Sequence, residues 1–92
     1  MIASFRSSDT EALFNRRRCL RFLSIEGAAR RKLIMLNHAR SLQELRVPPG
    51  NHLEELRGDR RGRYSIRIND QWRVCFVWRD GDAYEVEIID YH

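Results

Sequence analysis

Lysine is almost absent from this chain: sixteen of its seventeen basic residues are arginine, and Lys32 is the single exception. Cysteine is scarce as well. Cys19 and Cys75 lie 56 positions apart, each among apolar neighbours. Neither has a second cysteine or a paired histidine at metal-ligand spacing beside it. That argues against a disulfide scaffold or a zinc site, and for two small core thiols in a reducing cytosol. The longest apolar run is Val74-Cys75-Phe76-Val77-Trp78, against the ~20 residues a membrane span needs. Residues 1–6 hold no long apolar stretch, so no secretory signal is expected there. No segment repeats at solenoid or propeller spacing. No P-loop and no Gly-x-Ser-x-Gly elbow occurs. These absences exclude a transporter, a collagen-like fibre and a multidomain enzyme.

What is present is enough for one small core. The 92 residues are 42% hydrophobic, too apolar for a disordered chain and the right length for a single domain spanning residues 1–92. The net charge is +4, unevenly spread. Residues 1–63 hold fourteen basic and seven acidic groups; residues 64–92 hold three and six. Arginine offers a planar, permanently charged fork that pairs bidentately with phosphate and stacks on bases. An arginine-rich surface therefore favours a polyanionic partner, RNA or DNA. The bland alternative is a coding bias toward arginine on a solvated surface.

The apolar period divides the chain in two. Residues 1–6, with Ile2 and Phe5, suit a short first strand. Ser8-Asp9-Thr10-Glu11 fits a capping box with Ser8 as the cap, opening a short helix to about Asn15. Ile25, Ala28, Ala29, Leu33 and Leu36 form one helical stripe, predicting a helix over 24–40. Ser41-Leu42-Gln43-Glu44 can cap one more turn, and Val47-Pro48-Pro49-Gly50-Asn51 stops it. Beyond the loop at Gly58-Asp59-Arg60-Arg61-Gly62 the period becomes two. Tyr64, Ile66 and Ile68 alternate with Arg63, Ser65 and Arg67; Trp72, Val74, Phe76 and Trp78 alternate with Arg73, Cys75, Val77 and Arg79; and Tyr84, Val86 and Ile88 alternate with Glu85, Glu87 and Ile89. Asn69-Asp70-Gln71 and Asp80-Gly81 are the turns between them. The expected fold is α+β, ordered β-α-α-β-β-β: an antiparallel meander whose apolar face is covered by the helices, in two layers.

The other sheet face carries the chemistry. Arg63, Arg67 and Arg73 share it, beside a basic loop, and form a candidate phosphate-binding surface. Asp90-Tyr91-His92 gathers three proton-handling groups at the chain end. An imidazole can act as base or acid near neutrality, and a neighbouring carboxylate can orient it. Cleaving RNA needs little more: a base for the 2′-OH proton, cations on the phosphorane, and an acid for the departing 5′-oxygen. No metal or cofactor is required if arginine supplies the charge.

Several stretches together resemble the HigB-type plasmid maintenance killer toxins of the RelE/ParE superfamily. They are Ile2-Ala3-Ser4-Phe5, Arg46-Val47-Pro48-Pro49-Gly50-Asn51, Leu56-Arg57-Gly58-Asp59-Arg60, Tyr64-Ser65-Ile66-Arg67-Ile68-Asn69-Asp70-Gln71-Trp72-Arg73 and Asp90-Tyr91-His92. The resemblance covers nearly the whole chain. It implies a RelE-like fold and a ribosome-dependent, metal-free endonuclease that cuts messages in the ribosomal A site. It also implies a cytoplasmic type II toxin held by a HigA-like helix-turn-helix antitoxin, meeting operator DNA only through that antitoxin and no membrane. By position it places Asp90, Tyr91, His92 and Arg73 in catalysis and Arg57 at a basic position before Gly58-Asp59; Arg60, Arg61, Arg63 and Arg67, read from the basic loop and the sheet face, join Arg57 as candidates for RNA phosphate. Arg57 stands where lysine is common in the family. Glu54 stands where some members have a catalytic histidine, which leaves three alternatives: Glu54 as base if it is buried, His52 swinging in from its loop, or His92 working alone. The runner-up function is a non-catalytic binding module of the same fold that blocks a cellular target or acts with its antitoxin in transcriptional autoregulation.

Overall fold

The structure, a computed structural model, describes residues 1–56 and 62–90. Arg57, Arg60, Arg61, Tyr91 and His92 lie outside the described residues. Two helices, α1 (Ser8–Phe14) and α2 (Glu26–His38), precede four strands: β1 (Glu54–Glu55), β2 (Arg63–Arg67), β3 (Trp72–Arg79) and β4 (Asp82–Asp90). The strands form one antiparallel sheet in the order β1-β2-β3-β4. Helices cover one face, which is the α+β arrangement the sequence predicts.

Local departures each have a physical origin. The cap of α1 is Ser7, whose hydroxyl accepts from the Thr10 amide at 3.2 Å; the predicted cap, Ser8, is the first helical residue. Asp9 and Glu11 in that first turn suit the positive end of the helix dipole. Residues predicted to open the second helix, Ser24 and Ile25, instead close the 3-10 segment Leu20–Ile25. Another 3-10 turn, Leu42–Arg46, follows α2. The expected first strand is reduced to two bridges, Ile2 with Ala83 and Phe5 with Val86, parallel to β4. The amides of Ala3 and Arg6 donate to the carbonyls of Ala83 and Val86 at 2.7 and 2.9 Å. Strand β1, which is too short to show a period of its own, extends the meander at its far edge.

The turns behave as their residues demand. Asn69 accepts from the amides of Gln71 and Trp72 at 2.9 and 2.8 Å, an Asx-type turn. Asp80 and Gly81 both have positive φ, 53° and 82°, as a tight hairpin between right-twisted strands requires.

One feature of β4 shifts its side-chain phase. Cys75 faces Glu87, but Val77 faces Tyr84, so β4 holds one more residue than β3 over this stretch. Glu85 takes φ 51° there, the left-handed conformation of a bulge. Tyr84, expected beside Val86 and Ile88, therefore turns to the opposite face with Val77, under the Arg79 guanidinium at 4.5 Å from the ring centre. Ala83 takes the vacated core position and is fully buried.

The core joins Leu13, Phe22, Ala29, Leu33, Leu36 and Leu45 of the helical layer to Ile66, Val74, Phe76, Val86 and Ile88 of the sheet. Phe22 meets Trp72 edge-to-face at 5.6 Å. Cys19 and Cys75 are both buried and no disulfide joins them. Thr10 is fully buried, and its hydroxyl accepts from the Ile88 amide at 3.0 Å, tying α1 to β4. Thr10→Val keeps the shape and orphans that amide. It is expected to cost about 1–3 kcal/mol, read as a lower urea midpoint; an unchanged midpoint contradicts the role of this bond.

Asn51, also fully buried, organises the turn after the prolines. Its amide donates to the Leu45 carbonyl at 3.1 Å, and its oxygen accepts from Lys32 at 2.5 Å. Burial, and then the charge of Arg31, hold the Lys32 ammonium below its ordinary pKa of 10.5. The unfolded chain thus binds more protons between the lowered value and 10.5, and stability rises with pH across that window. Lys32→Met is expected to remove this rise, seen by comparing urea midpoints at pH 8 and pH 10. An identical pH dependence in both proteins contradicts it.

Candidate functional site

Arg73 is the centre of the sheet's open face. It sits on β3, where the pleat aims it away from the helices, yet it is only 7% exposed. A buried guanidinium must have its donors satisfied. Its Nε donates to the Ser65 hydroxyl at 2.9 Å, and one terminal nitrogen donates to the Ser65 carbonyl at 3.4 Å and to the His52 carbonyl. The other terminal nitrogen lies 3.8 Å from the Glu54 carboxylate. Two neighbouring strands and the loop before them fix this one side chain. His52 reaches it because it takes a left-handed φ of 43° after the short 3-10 turn Pro49–Asn51, which turns its carbonyl toward β3.

Glu54 enters from the edge strand β1, paired with Ser65. Its side chain is 54% exposed, so the burial that the Glu54-as-base alternative supposes is not there. A loose pair with one exposed member adds little stability, which leaves Glu54 free to respond to a ligand.

Two further expected phosphate ligands, Arg63 and Arg67, are each paired with a carboxylate. Arg63 contacts Glu85 of β4 at 2.7 Å, and Arg67 is joined to Asp70 in the adjoining turn. Exposed pairs of this kind are worth about 0–1 kcal/mol, so a phosphate can displace either carboxylate cheaply. Asp90 pairs with Trp72 at the end of β4, and its carboxylate accepts from Gln71 at 3.1 Å. Asp90 thus ends its strand one register position from Arg73. The structure brings Arg73 and Glu54 together, places Arg63 and Arg67 on the same face, and leaves Asp90 at the rim. Ser65 is the residue sequence reasoning misses: its alternation with Tyr64 and Ile66 marks it as outward-facing, but nothing marks it as the clamp on Arg73.

Among the described residues, no group of three His, Cys, Asp or Glu side chains is placed to hold a metal. No helix among them is long and apolar enough to cross a membrane.

This geometry can be set beside known proteins. A family model described as RelE-like toxin of the type II toxin–antitoxin system HigB matches residues 4–92. The chain is similar to Toxin HigB-1 of Vibrio cholerae serotype O1, 50% identical over 60 residues, or 65% of this chain and 63% of that protein. It is similar to Endoribonuclease HigB of Proteus vulgaris, 45% identical over 40 residues, or 44% of each. The matched stretches thus span less than two thirds of these relatives. A crystal structure of a YafQ mutant from E. coli shares the fold, with a TM-score of 0.62 over 98% of this chain and 93% of that one, at 12% identity. With the match running from residue 4 to residue 92, the chain belongs to the RelE-like HigB toxin family of type II toxin–antitoxin systems.

Proposed function

We propose that the chain is a ribosome-dependent, metal-independent mRNA endonuclease that inhibits translation in the cytoplasm, acting as one toxin domain over residues 1–92. The observation that carries this reading is the clamped Arg73 on the open sheet face, with Glu54 beside it. Family membership and the name of the Proteus vulgaris relative support it. A HigA-like helix-turn-helix antitoxin is the proposed neutralising partner, and through it alone the chain would meet operator DNA.

The chemistry follows from the residues. A message strand held in the ribosomal A site lies over the open face, with Arg63 and Arg67, and Arg57, Arg60 and Arg61 from the basic loop, on its phosphates. Arg73 contacts the scissile phosphate. His92, oriented by Asp90, takes the 2′-OH proton; the oxygen attacks phosphorus, and Arg73 offsets the charge of the phosphorane. The bond to the 5′-oxygen breaks, and the Tyr91 hydroxyl supplies the proton that oxygen needs. The products are a 2′,3′-cyclic phosphate and a 5′-hydroxyl. Glu54, being exposed, positions Arg73 rather than serving as the base.

The ranking of variants tests this. His92→Ala is expected to slow cleavage about 10²–10⁴-fold, the usual worth of an acid–base group, and Glu54→Gln much less. Mapping message 5′ ends in cells expressing each variant checks it. Equal cleavage by wild type and His92→Ala removes His92 from the mechanism. Growth arrest that survives Arg73→Ala together with His92→Ala favours blockade of a target over chemistry.

A further inference from the structure

Residues 46–52 carry the chain from the helical layer to the sheet edge, and of these seven only Asn51 is buried. A single polar side chain therefore anchors an otherwise exposed segment. Its amide nitrogen donates to the Leu45 and Val47 carbonyls at 3.1 and 3.5 Å and lies 3.1 Å from the Met35 sulfur of α2. Its oxygen accepts from the Lys32 ammonium of α2 at 2.5 Å. Reversing the carboxamide would set its NH₂ against the ammonium and its oxygen against two carbonyls, so one orientation is fixed. Among the described residues no carboxylate pairs with Lys32. The one lysine of the chain is spent on this neutral oxygen. His52 follows directly. Its amide donates to the Pro49 carbonyl at 3.1 Å, and its left-handed φ of 43° aims its own carbonyl at Arg73.

We propose that Lys32 and Asn51 are positioning residues for Arg73, acting from the opposite layer of the fold, an inference that rests on the RNA-cleaving reading above. The links run from α2 through Lys32 to Asn51, along the backbone to the His52 carbonyl, and end on the Arg73 guanidinium. Removing the ammonium leaves the Asn51 oxygen buried without a donor, which favours a shifted turn that reaches water. That shift moves the His52 carbonyl, because the two residues adjoin. Arg73 then keeps its Ser65 contacts and the loose Glu54 pair but loses its support from the loop. A catalytic group held on fewer sides spends less time in the reactive geometry, and displacements of about 1 Å from remote changes can cost up to ~10²-fold in rate. Lys32 does not reach substrate in this scheme, so its loss acts on the chemical step and not on the docking of message.

The test is Lys32→Met in the full chain. Lys32 is half-buried on a helix and methionine matches its stem, so the fold is expected to persist, as a far-ultraviolet spectrum checks. On ribosomes programmed with message, kcat is expected to fall about tenfold with KM within about twofold of wild type. In an Arg73→Ala background the same change is expected to cost nothing further, since two residues that act through one group are not additive. A second reading needs no ribosome. The Arg73 Nε–H, donated to Ser65, is expected to give a slowly exchanging nuclear magnetic resonance line, identified by its loss in Arg73→Lys. Lys32→Met is expected to speed that exchange about tenfold or more. An unchanged exchange rate, an unchanged kcat, or a further tenfold loss in the Arg73→Ala background overturns the proposal. Message left intact by wild-type protein sinks the nuclease reading by itself, and the exchange rate then decides the relay.

Discussion

Replacing Arg73 with alanine is expected to lower message cleavage about 10²–10³-fold, the cost of removing a fixed group that stabilises charge in a transition state. The side chain is held by the Ser65 hydroxyl, the Ser65 and His52 carbonyls and the Glu54 carboxylate, so it does not have to be ordered when substrate arrives. Arg73→Lys keeps the charge but loses the planar fork and the Nε–H donated to Ser65. It is expected to recover little activity. Ser65→Ala leaves the guanidinium in place but loosens it, and a smaller loss is expected. Because Arg73 is buried, thermal melts accompany each cleavage assay. A folded Arg73→Ala protein that cuts as fast as wild type contradicts the assignment.

The second large effect is on stability. Phe22→Ala is expected to cost about 3–5 kcal/mol, as emptying a fully packed aromatic site does. In a domain of this size that lowers the melting temperature by at least about 12 °C, at roughly 4–8 °C per kcal/mol. Phe22 is fully buried, and it is the residue through which the irregular 3-10 segment Leu20–Ile25 grips Trp72 of the sheet. Little else in that segment is buried: Leu20 and Leu23 are exposed, and Ile25 is the other anchor. Calorimetry of the variant decides the matter, and a drop of under about 4 °C means that the segment is held by other contacts.

The sequence exposes those parts of this molecule that repeat. The stripe Ile25, Ala28, Ala29, Leu33 and Leu36 is legible because a helix buries one side every 3.6 residues; Ala29, Leu33 and Leu36 are buried in the helix and Ile25 in the 3-10 segment before it, while Ala28 is only half-buried. The alternation in β2 and β3 is legible because a pleat has period two, and Ile66, Val74 and Phe76 are all in the core. Period is also where reading fails. The extra residue at Glu85 inverts the pleat from that point back to Asp82, so Tyr84 and Ala83 exchange faces. No local signal announces a bulge built on glutamate, since the left-handed conformation is uncommon outside glycine, asparagine and aspartate. The site follows the same logic. Arginines at alternate positions reveal the face that holds Arg63, Arg67 and Arg73. They do not reveal that Asp70 and Glu85 sit against two of them, or that Ser65 and the His52 carbonyl bury the third. Those partners come from other strands and loops, and only the folded register joins them.

The proposed activity is that of a short arginine-bearing sheet that breaks a message another machine presents. The most direct measurement adds purified, antitoxin-free protein to ribosomes programmed with message and maps the new ends. Cuts confined to the A-site codon, absent when ribosomes are omitted and carrying 5′-hydroxyl ends, are the predicted result. Message that stays intact on programmed ribosomes contradicts it.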